Sequence, residues 1–447
     1  MKKTLLSLIA IFAIMLDANA QWVSPGNGTT YTLPDLVDVS NGAVAAGTDG
    51  FVINADVTIS TNDVLKIDNQ VTRIDVADVL ITISGSMICT NTNAEMVEFR
   101  RLNETEHFKI RFENAVACDI KKMYFSYGAG IKVIDSEVTF DDVKFAYFTK
   151  DYCNAVIDIF NCNPVIKNCF FVQNEGAAIS SPANGQASPQ ILNCTFDGNV
   201  TSNSNHPQIN LGPGSLLDTI YIVGNVITGA FDMSGGISVS DLLETGSTKV
   251  LLKNNIVRNN RYGYNQQGKT ISSLVVGNEF IDNNLETNPM NGGSGISIFG
   301  YSVNNKAILR NNVITGNLWG ITAIYFHDID MGTEEDWGRN EIHDNGNSGN
   351  VYDLYNNSTC DLLAVGNDWG VTTLNEIEDH IVHKNDNPEL GLVTFYPFIG
   401  IEWIDENVSE YLMKDNRVYT LEGRCLGSEV PANYKGVYIR NGRKYLK

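Results

Sequence analysis

One short stretch of the chain, predicted to be a loop from Tyr325 to Trp337, gathers many of the side chains that could carry out chemistry. It holds one imidazole and five carboxylates: His327, Asp328, Asp330, Glu334, Glu335 and Asp336. Carboxylate pairs supply the acid and base of glycoside hydrolysis, and carboxylate oxygens also bind Ca²⁺. Asp328, Asp330 and His327 are therefore the candidate catalytic residues. We predict no resident metal or other cofactor, with Asp328 and Asp330 as the ligands if Ca²⁺ is held.

Aromatic side chains accompany this acidic stretch and offer ring faces for sugars. Tyr325 and Trp337 bound the stretch, and Tyr264 and Tyr301 lie beside glycine-rich turns earlier in the chain. These four residues are the predicted substrate-binding platform. The alternative is that the stretch is a solvated acidic loop, since the whole chain has a formal net charge of −21. The two acidic residues at 328 and 330 lack the remaining ligands of an EF-hand loop.

A repeated phrase, Asn-x-x-apolar-x-x-Asn, organises the chain around this stretch. Its first asparagine recurs at Asn168, Asn193, Asn225, Asn254, Asn278, Asn311, Asn340 and Asn367. Spacings of about 20–50 residues are typical of solenoids. Each phrase follows a short Val/Ile-rich run, and no amphipathic helix separates the copies, which favours stacked strands. Asparagine amides stacked in this way can form hydrogen-bonded ladders.

The pattern resembles the right-handed parallel β-helix of the pectin-lyase-like superfamily. The resemblance implies an all-β solenoid, and the predicted fold class adds N- and C-terminal caps and a small C-terminal β-sandwich-like tail, for the reasons given below. Phe171, Phe196 and Ile314 occupy the apolar position of the phrase and are predicted to point inward. Such a fold does not name a reaction. The polygalacturonase signatures Asn-Thr-Asp, Gly-His-Gly and Arg-Ile-Lys do not occur.

Both ends of the solenoid carry segments suited to cover its core. Residues 32–40 read as a short helix with Pro34 in its first turn. Residues 366–398 resemble the closing segment of many secreted bacterial β-helices, with a helix predicted from Leu374 to His383. His380 and His383 share one face of that helix, but a structural role is favoured over a metal site because no His-Glu-x-x-His motif is present.

The first 20 residues predict export. Lys2 and Lys3 precede a 12-residue apolar core, and Ala18-Asn-Ala20 is a small-x-small cleavage site. That core is too short to cross a bilayer, which needs about 20 apolar residues, and no later run predicts a transmembrane segment. The strongly negative charge disfavours nucleic acid as a partner, because phosphate binding needs clustered Lys and Arg. The predicted location is secreted or cell-surface.

The C-terminal tail departs from the repeat. Residues 418–424 read Val-Tyr-Thr-Leu-Glu-Gly-Arg, and residues 435–444 read Lys-Gly-Val-Tyr-Ile-Arg-Asn-Gly-Arg-Lys, with an Asn441-Gly442 hairpin turn. This pattern resembles the C-terminal sorting domain of type IX secretion substrates, which implies secretion machinery as a partner. The predicted organisation is thus residues 1–20 signal peptide, 21–400 capped β-helix and 401–447 sorting-like tail.

Eight cysteines in an exported chain raise the question of disulfides. Cys169 and Cys194 occupy the same position in successive phrases, at a spacing that permits a bridge. Cysteine is also a common buried apolar residue, and stacked thiols are preferred over a bridge.

Two functions follow from these observations. The first is an exported, surface-associated β-helix that binds a polysaccharide or cell-surface glycan, or is structural, without an identifiable catalytic motif. The second is a polysaccharide hydrolase or lyase acting in a groove of the β-helix. Clustered carboxylates on one groove face would favour the enzyme, whereas a smooth ladder of Asn, Ser and Thr would favour the first function.

Overall fold

A computed structural model describes residues 21–243, 247–400, 418–420, 425–440 and 443–447. The predicted signal peptide, residues 1–20, lies outside the described residues. The chain divides into two compact units, Met1–Glu175 and Gly176–Lys447. Both units are right-handed parallel β-helices, so the predicted fold class is confirmed. The proposed boundaries at residues 20 and 400 stay a prediction.

Each coil of the first unit contributes strands to three stacks, in which strands of successive coils pair in parallel. The exception is the start of the third stack, where Val44–Ala46 pairs antiparallel with Phe51–Ile53. The first stack contains Trp22–Val23, Val57–Ile59, Leu80–Ile83, Lys109–Glu113, Gly130–Ile134 and Ala155–Phe160. The second stack contains Thr30–Thr32, Val64–Ile67, Ser86–Thr90, Cys118–Lys121, Val138–Asp141 and Val165–Lys167. The third stack contains Val44–Ala46, Phe51–Ile53, Arg73–Val76, Val97–Arg101, Met123–Ser126, Lys144–Ala146 and Phe170–Val172.

The second unit repeats this arrangement with two long strands that turn a corner. Its first stack contains Ala177–Ser180, Pro207–Leu211, Gly235–Asp241, Tyr264–Gly268, Ser294–Arg310, Trp319–Asp330, Leu354–Ser358 and Ile381–Val382. The ends of Ser294–Arg310 and Trp319–Asp330 continue into its second stack, with Gln190–Leu192, Thr219–Val223, Thr248–Lys253, Ile271–Val276, Leu362–Leu363 and Val393–Thr394. The third stack contains Thr195–Asp197, Val226–Thr228, Ile256–Arg258, Glu279–Ile281, Val313–Thr315 and Glu341–His343. A short hairpin pairs Gly346–Asn347 with Asn350–Val351.

The turn before each third-stack strand explains the asparagine phrase and corrects its register. A left-handed residue with positive φ is followed at once by a buried one. The left-handed residues are Asn168, Asn193, Gly224, Asn254, Gly277, Asn311, Arg339 and Gly366. Asparagine and glycine tolerate this geometry best. The buried followers are Cys169, Cys194, Asn225, Asn255, Asn278, Asn312, Asn340 and Asn367. The first asparagine of the phrase is therefore a turn residue in half of the copies and a buried residue in the other half.

The buried asparagines of the second unit form one continuous ladder. Each side-chain amide donates to the Oδ1 of the next asparagine at 2.8–3.0 Å, and the next Oδ1 also accepts a backbone N–H. The ladder runs through Asn225, Asn255, Asn278, Asn312, Asn340 and Asn367. Because each amide has its partners, the core carries these polar groups without the cost of unpaired burial.

A second ladder follows the third-stack strands and ends in a charge. It runs through Asn199, Gln208, Asn260, Asn283, Asn317 and Asn345. The amide of Asn345 donates to Asp353 Oδ1 at 2.8 Å. A carboxylate only accepts, so Asp353 terminates the chain of donors, and its Oδ2 lies 2.8 Å from His380 Nδ1.

Apolar side chains fill the space between the stacks. Phe171, Phe196 and Ile314 are each 0% exposed, which agrees with their predicted inward position. In the first unit, Phe125, Phe145 and Phe171 stack with ring centroids 5.6 and 4.8 Å apart. In the copy that begins at Asn278, the phrase predicts an inward Ile281, but the buried residue is Phe280.

The cysteines at the ladder position behave as small buried residues. The Cys169 thiol donates to the backbone carbonyls of Phe140 and Lys167, and the Cys194 thiol donates to the carbonyl of Leu192. Burial raises the pKa of Cys89 and Cys118 to about 11. These two thiols are therefore poor nucleophiles.

Two short helices lie at the predicted cap positions. The helix Leu33–Val39 begins at Thr32, which shares a capping box with Asp35. It buries Leu33 and Leu36 beside Val44. The second helix, Leu374–His380, begins with a capping box of Thr373 and Glu376 and buries Ile377. It ends three residues earlier than predicted, because Ile381–Val382 joins the first stack as a strand.

The described part of the tail forms an antiparallel sheet of the strands Val418–Thr420, Cys425–Gly427, Val437–Arg440 and Arg443–Leu446. The predicted hairpin turn at Asn441-Gly442 lies outside the described residues, although the strands on either side of it pair. No helix among the described residues is long and apolar enough to cross a membrane.

Candidate functional site

Half of the acidic stretch is strand rather than loop. Residues 319–330 form one strand, and the alternate residues Ile321, Ala323, His327 and Ile329 are buried against the core. Asp328 and Asp330 occupy the outward positions between them. The expectation of a loop from Tyr325 to Trp337 was therefore wrong for its first six residues, because they continue the parallel pairing with Ser294–Arg310.

The carboxylates of this stretch meet cations of the protein itself. Asp328 lies 3.1 Å from Lys306 Nζ, and both side chains are about half exposed. Asp330 and Asp336 hold the buried guanidinium of Arg310 at 2.8 and 3.1 Å. Glu334 and Glu335 are exposed. Asp328, Asp330 and Asp336 therefore neutralise the protein's own cations. The stretch does not bring two unpaired carboxylates together on one face.

His327 points into the core and is 2% exposed. Its Nε2 lies 2.8 Å from Ser358 Oγ and 3.3 Å from Asn356 Oδ1. Burial lowers the pKa of His327, so the neutral imidazole is favoured. This position argues against the predicted catalytic role of His327 on a groove surface, because an external sugar does not reach an inward side chain.

Tyr264 is also an inward residue. It pairs in register with Ile237 and Ile296, is 0% exposed, and donates its hydroxyl to Gln266 Oε1 at 3.1 Å. Burial raises its pKa. The prediction that Tyr264 offers a ring face to a sugar is therefore corrected, because both faces lie in the core.

Tyr301 and Tyr325 do reach the surface, at the corner between the first and second stacks. They are 44% and 56% exposed. Tyr325 stands at a position that would face inward in a regular strand, but its φ of +62° turns it outward. The two rings lie 6.5 Å apart at an interplanar angle of 20°, and both contact the edge-on ring of Phe299. We call Phe299, Tyr301 and Tyr325 the corner cluster.

Trp337 lies apart from the corner cluster. It follows the second-stack end of Trp319–Asp330, and its ring packs on the backbone of Gly366 at the turn into the third stack. Tyr325 is the last residue of this strand that pairs with Leu354–Ser358 in the first stack, whereas Trp337 comes after the second-stack segment. The structure thus brings Tyr301 and Tyr325 together and leaves Trp337 out.

The outward face of the first stack carries two rows of uncharged side chains. They lie between the first residues of these strands and the corner cluster. Register pairing aligns the first row, Ser238, Asn265, Ser297, Thr322 and Tyr355. It aligns the second row in the same way, Ser240, Gln267, Phe299, Ile324 and Asn357. Neighbouring hydroxyls and amides bond along the face, as in Asn265 Nδ2 to Ser238 Oγ at 3.1 Å.

A second aromatic group stands at the other end of these strands. Trp319 lies 4.6 Å from the ring of Tyr352 and stacks on Tyr355 at 5.6 Å. Its indole N–H donates to the carbonyl of Pro289 at 2.9 Å, which fixes the ring. We call Trp319, Tyr352 and Tyr355 the entry cluster. Tyr325 lies six residues after Trp319 along the strand, which corresponds to about 20 Å at ~3.3 Å per residue.

The entry cluster and the polar rows were not predicted from the sequence, although the sequence contains a pattern that indicates their positions. Gly236-Ile237, Gly295-Ile296 and Gly320-Ile321 mark the inward position of successive first-stack strands. Gly263-Tyr264 occupies the equivalent position in its own coil, so the same pattern predicts that the Tyr264 side chain points inward. The residue after each dipeptide, such as Ser297 or Thr322, then faces outward by strand alternation.

Among the described residues, no three His, Cys, Asp or Glu side chains are grouped so as to hold a metal ion. The two remaining histidines of interest are structural. His380 pairs with buried Asp353, and His383 accepts the backbone N–H of Val393 while its Nε2 lies 2.8 Å from Glu378.

Comparisons with known proteins agree with the fold. The sequence model of a family described as "Protein of unknown function (DUF1565)" matches residues 264–374, which hold the corner cluster and the entry cluster. No curated protein has significant sequence similarity to the chain.

A crystal structure of the periplasmic alginate epimerase AlgG aligns with 83% of this chain and 82% of its own, at 13% identity and a TM-score of 0.51. A point variant of the same epimerase aligns with 82% and 83% at 15% identity and a TM-score of 0.49. At so low a sequence identity, the first of these two alignments shows a shared β-helix fold. It does not identify the family to which the chain belongs.

Proposed function

We propose that the protein is exported and binds a polysaccharide on the outward face of the first stack in its second unit. The observation that carries the proposal is the combination on that face: rows of hydroxyl and amide groups lie between the entry cluster and the corner cluster. Hydroxyls and amides both donate and accept hydrogen bonds, as sugar hydroxyls require. Exposed ring faces add contact area for the apolar side of a sugar.

Binding is favoured over turnover by the state of the candidate catalytic groups. Asp328 and Asp330 are ion-paired with Lys306 and Arg310, and His327 is buried. A smooth face of Ser, Asn and Thr is the arrangement expected of a binding or structural protein. The alignment with an alginate epimerase supports a β-helix scaffold for the site and does not specify the glycan.

A glycan array followed by hydrogen–deuterium exchange tests the proposal. With a captured glycan bound, we expect slower exchange of amides in residues 294–301 and 319–326, and unchanged exchange in the strands of the first unit. The proposal fails if no glycan is captured, or if protection falls elsewhere. Reducing-sugar and unsaturated-product assays on the same glycans test the alternative of hydrolase or lyase activity.

Export and surface attachment are part of the same proposal. The signal-like residues 1–20 and the sorting-like tail support it, since the tail forms an antiparallel sheet unlike the parallel coils. Calcium at Asp328 and Asp330 remains a further proposal. It requires displacement of Lys306 and Arg310, and a rise of the melting temperature with Ca²⁺ relative to EDTA would support it by mass action.

A further inference from the structure

The binding face of the second unit carries no charge between its two aromatic clusters. Every outward residue of the two rows, from Ser238 to Asn357, is a hydroxyl, amide or apolar side chain. The chain as a whole carries 52 acidic and 31 basic residues. An anionic polymer would be repelled by the net charge and would find no cation in these rows to offset the repulsion.

Two cations at the margin of the face, Lys306 and Arg310, belong to the protein's own ion pairs, and Arg261, near the entry cluster, donates to Asn205 Oδ1 and to the carbonyl of Asn291. Lys306 Nζ lies 3.1 Å from Asp328, and the Arg310 guanidinium is buried between Asp330 and Asp336. Lys269 follows Gly268, whose register partner Gly300 precedes Tyr301, and it too has an interaction partner. Lys306, Arg310 and Lys269 are therefore not available as an open binding site for the carboxylate of a uronic acid.

The chemistry of the rows matches hydroxyl groups better than carboxylates. Ser297, Asn265 and Gln267 each offer both a donor and an acceptor. A sugar hydroxyl uses both roles, whereas an ionised carboxylate only accepts and is bound best by Arg, Lys or clustered N–H groups. The Gln267 amide already points to the Tyr301 hydroxyl, at 3.5 Å, and so links the polar rows to the corner cluster.

We infer that the ligand of this face is an uncharged glycan, laid along the strands between the entry cluster and the corner cluster. The inference rests on the proposed function and narrows it to neutral polysaccharides, with polyuronates excluded. Recognition then depends on ring stacking and on hydrogen bonds to hydroxyls. Salt has little effect on such contacts, because they carry no net charge to screen.

Isothermal titration of the full chain with two oligosaccharides of equal length, a neutral glucan and a polyuronate, tests the inference. We expect the glucan to bind with an affinity that changes less than about twofold from low to high salt, and the polyuronate to bind at least about tenfold more weakly. The double variant Lys269→Gln/Lys306→Gln should bind the glucan as the wild type does.

The opposite pattern would overturn the inference and leave the proposed function standing. It consists of tighter polyuronate binding that is lost at high salt and in the double lysine variant. Binding of neither oligosaccharide, with none captured on a wider array, would instead overturn the proposed function and the inference together. Thermal melts of the double variant confirm that it is folded.

Discussion

Adjacent asparagines in this chain have opposite roles. Asn311 is exposed with a φ of +56°, whereas Asn312 is 0% exposed. The Asn312 amide donates to Asn340 Oδ1 and to the carbonyl of Val275, at 2.8 and 2.9 Å. The sequence predicts that one of the pair is buried, but only the left-handed turn decides which.

Replacing Asn312 by Ala should destabilise the protein by about 1–3 kcal/mol, because the partner groups of the ladder stay buried without a bond. Asn311→Gly is the matched control and should change the free energy of unfolding by less than about 0.5 kcal/mol, since glycine tolerates the turn. Urea melts of the two variants measure the difference. Equal losses would contradict the ladder register.

The pairing of His380 with Asp353 makes the end of the second ladder sensitive to pH. The hydrogen bond to Asp353 raises the pKa of His380, helped by the charges of Asp353, Asp379 and Glu376. A raised folded pKa means that the stabilisation is complete below the unfolded value of about 6.5 and is lost as the pH rises through the folded value.

We therefore expect the free energy of unfolding to fall as the pH rises above about 6.5, and His380→Gln to flatten that part of the profile. His343→Gln, at a surface contact with Asp344, is the control and should leave the profile as in the wild type. A His380→Gln profile with the same slope as the wild type would contradict this assignment.

At the scale of the strands, the alternation of inward and outward side chains decides which of two neighbouring phenylalanines is buried in the core. Phe171 is 0% exposed and stacks on Phe145, whereas Phe170 is 42% exposed. Phe171→Ala should cost about 3–5 kcal/mol through lost burial and the cavity left behind. Phe170→Ala should cost less than about 1 kcal/mol. Denaturant melts compare them, and similar losses would mean that the third stack is out of register.

The strand pattern was readable from the sequence because period and alternation are local properties. The repeat predicts the coils and the inward Phe171, Phe196 and Ile314, and the segments on either side of it predict the positions of both cap helices. The candidate site was predicted less well. Tyr264 is buried by its register, and Tyr325 is exposed only because its left-handed backbone breaks the alternation. The pairing of Asp330 and Asp336 with Arg310 joins residues from neighbouring coils, which composition does not reveal.

At the scale of the whole molecule, the tail and the coils have separate architectures. The coils pair in parallel, while the described tail strands pair antiparallel. Deleting residues 401–447 should leave the melting temperature of the remainder within a few degrees, because about 1 kcal/mol shifts it by only a few degrees in a domain of this size. Fractionation of cells that produce the truncated protein should show loss of surface display. Unaltered display would refute the sorting role.

The central claim is that a glycan is held between the entry cluster and the corner cluster. Isothermal titration with a captured neutral glycan measures this most directly, using Trp319→Ala, Tyr325→Ala and the control Tyr147→Ala. Tyr147 is matched to Tyr325, since it is 40% exposed, left-handed at φ +60° and stacked on Tyr127. We predict that each face variant weakens binding about tenfold, as loss of an aromatic contact of about 1.4 kcal/mol requires, while the control binds within about twofold. Wild-type affinity in both folded face variants would contradict the claim.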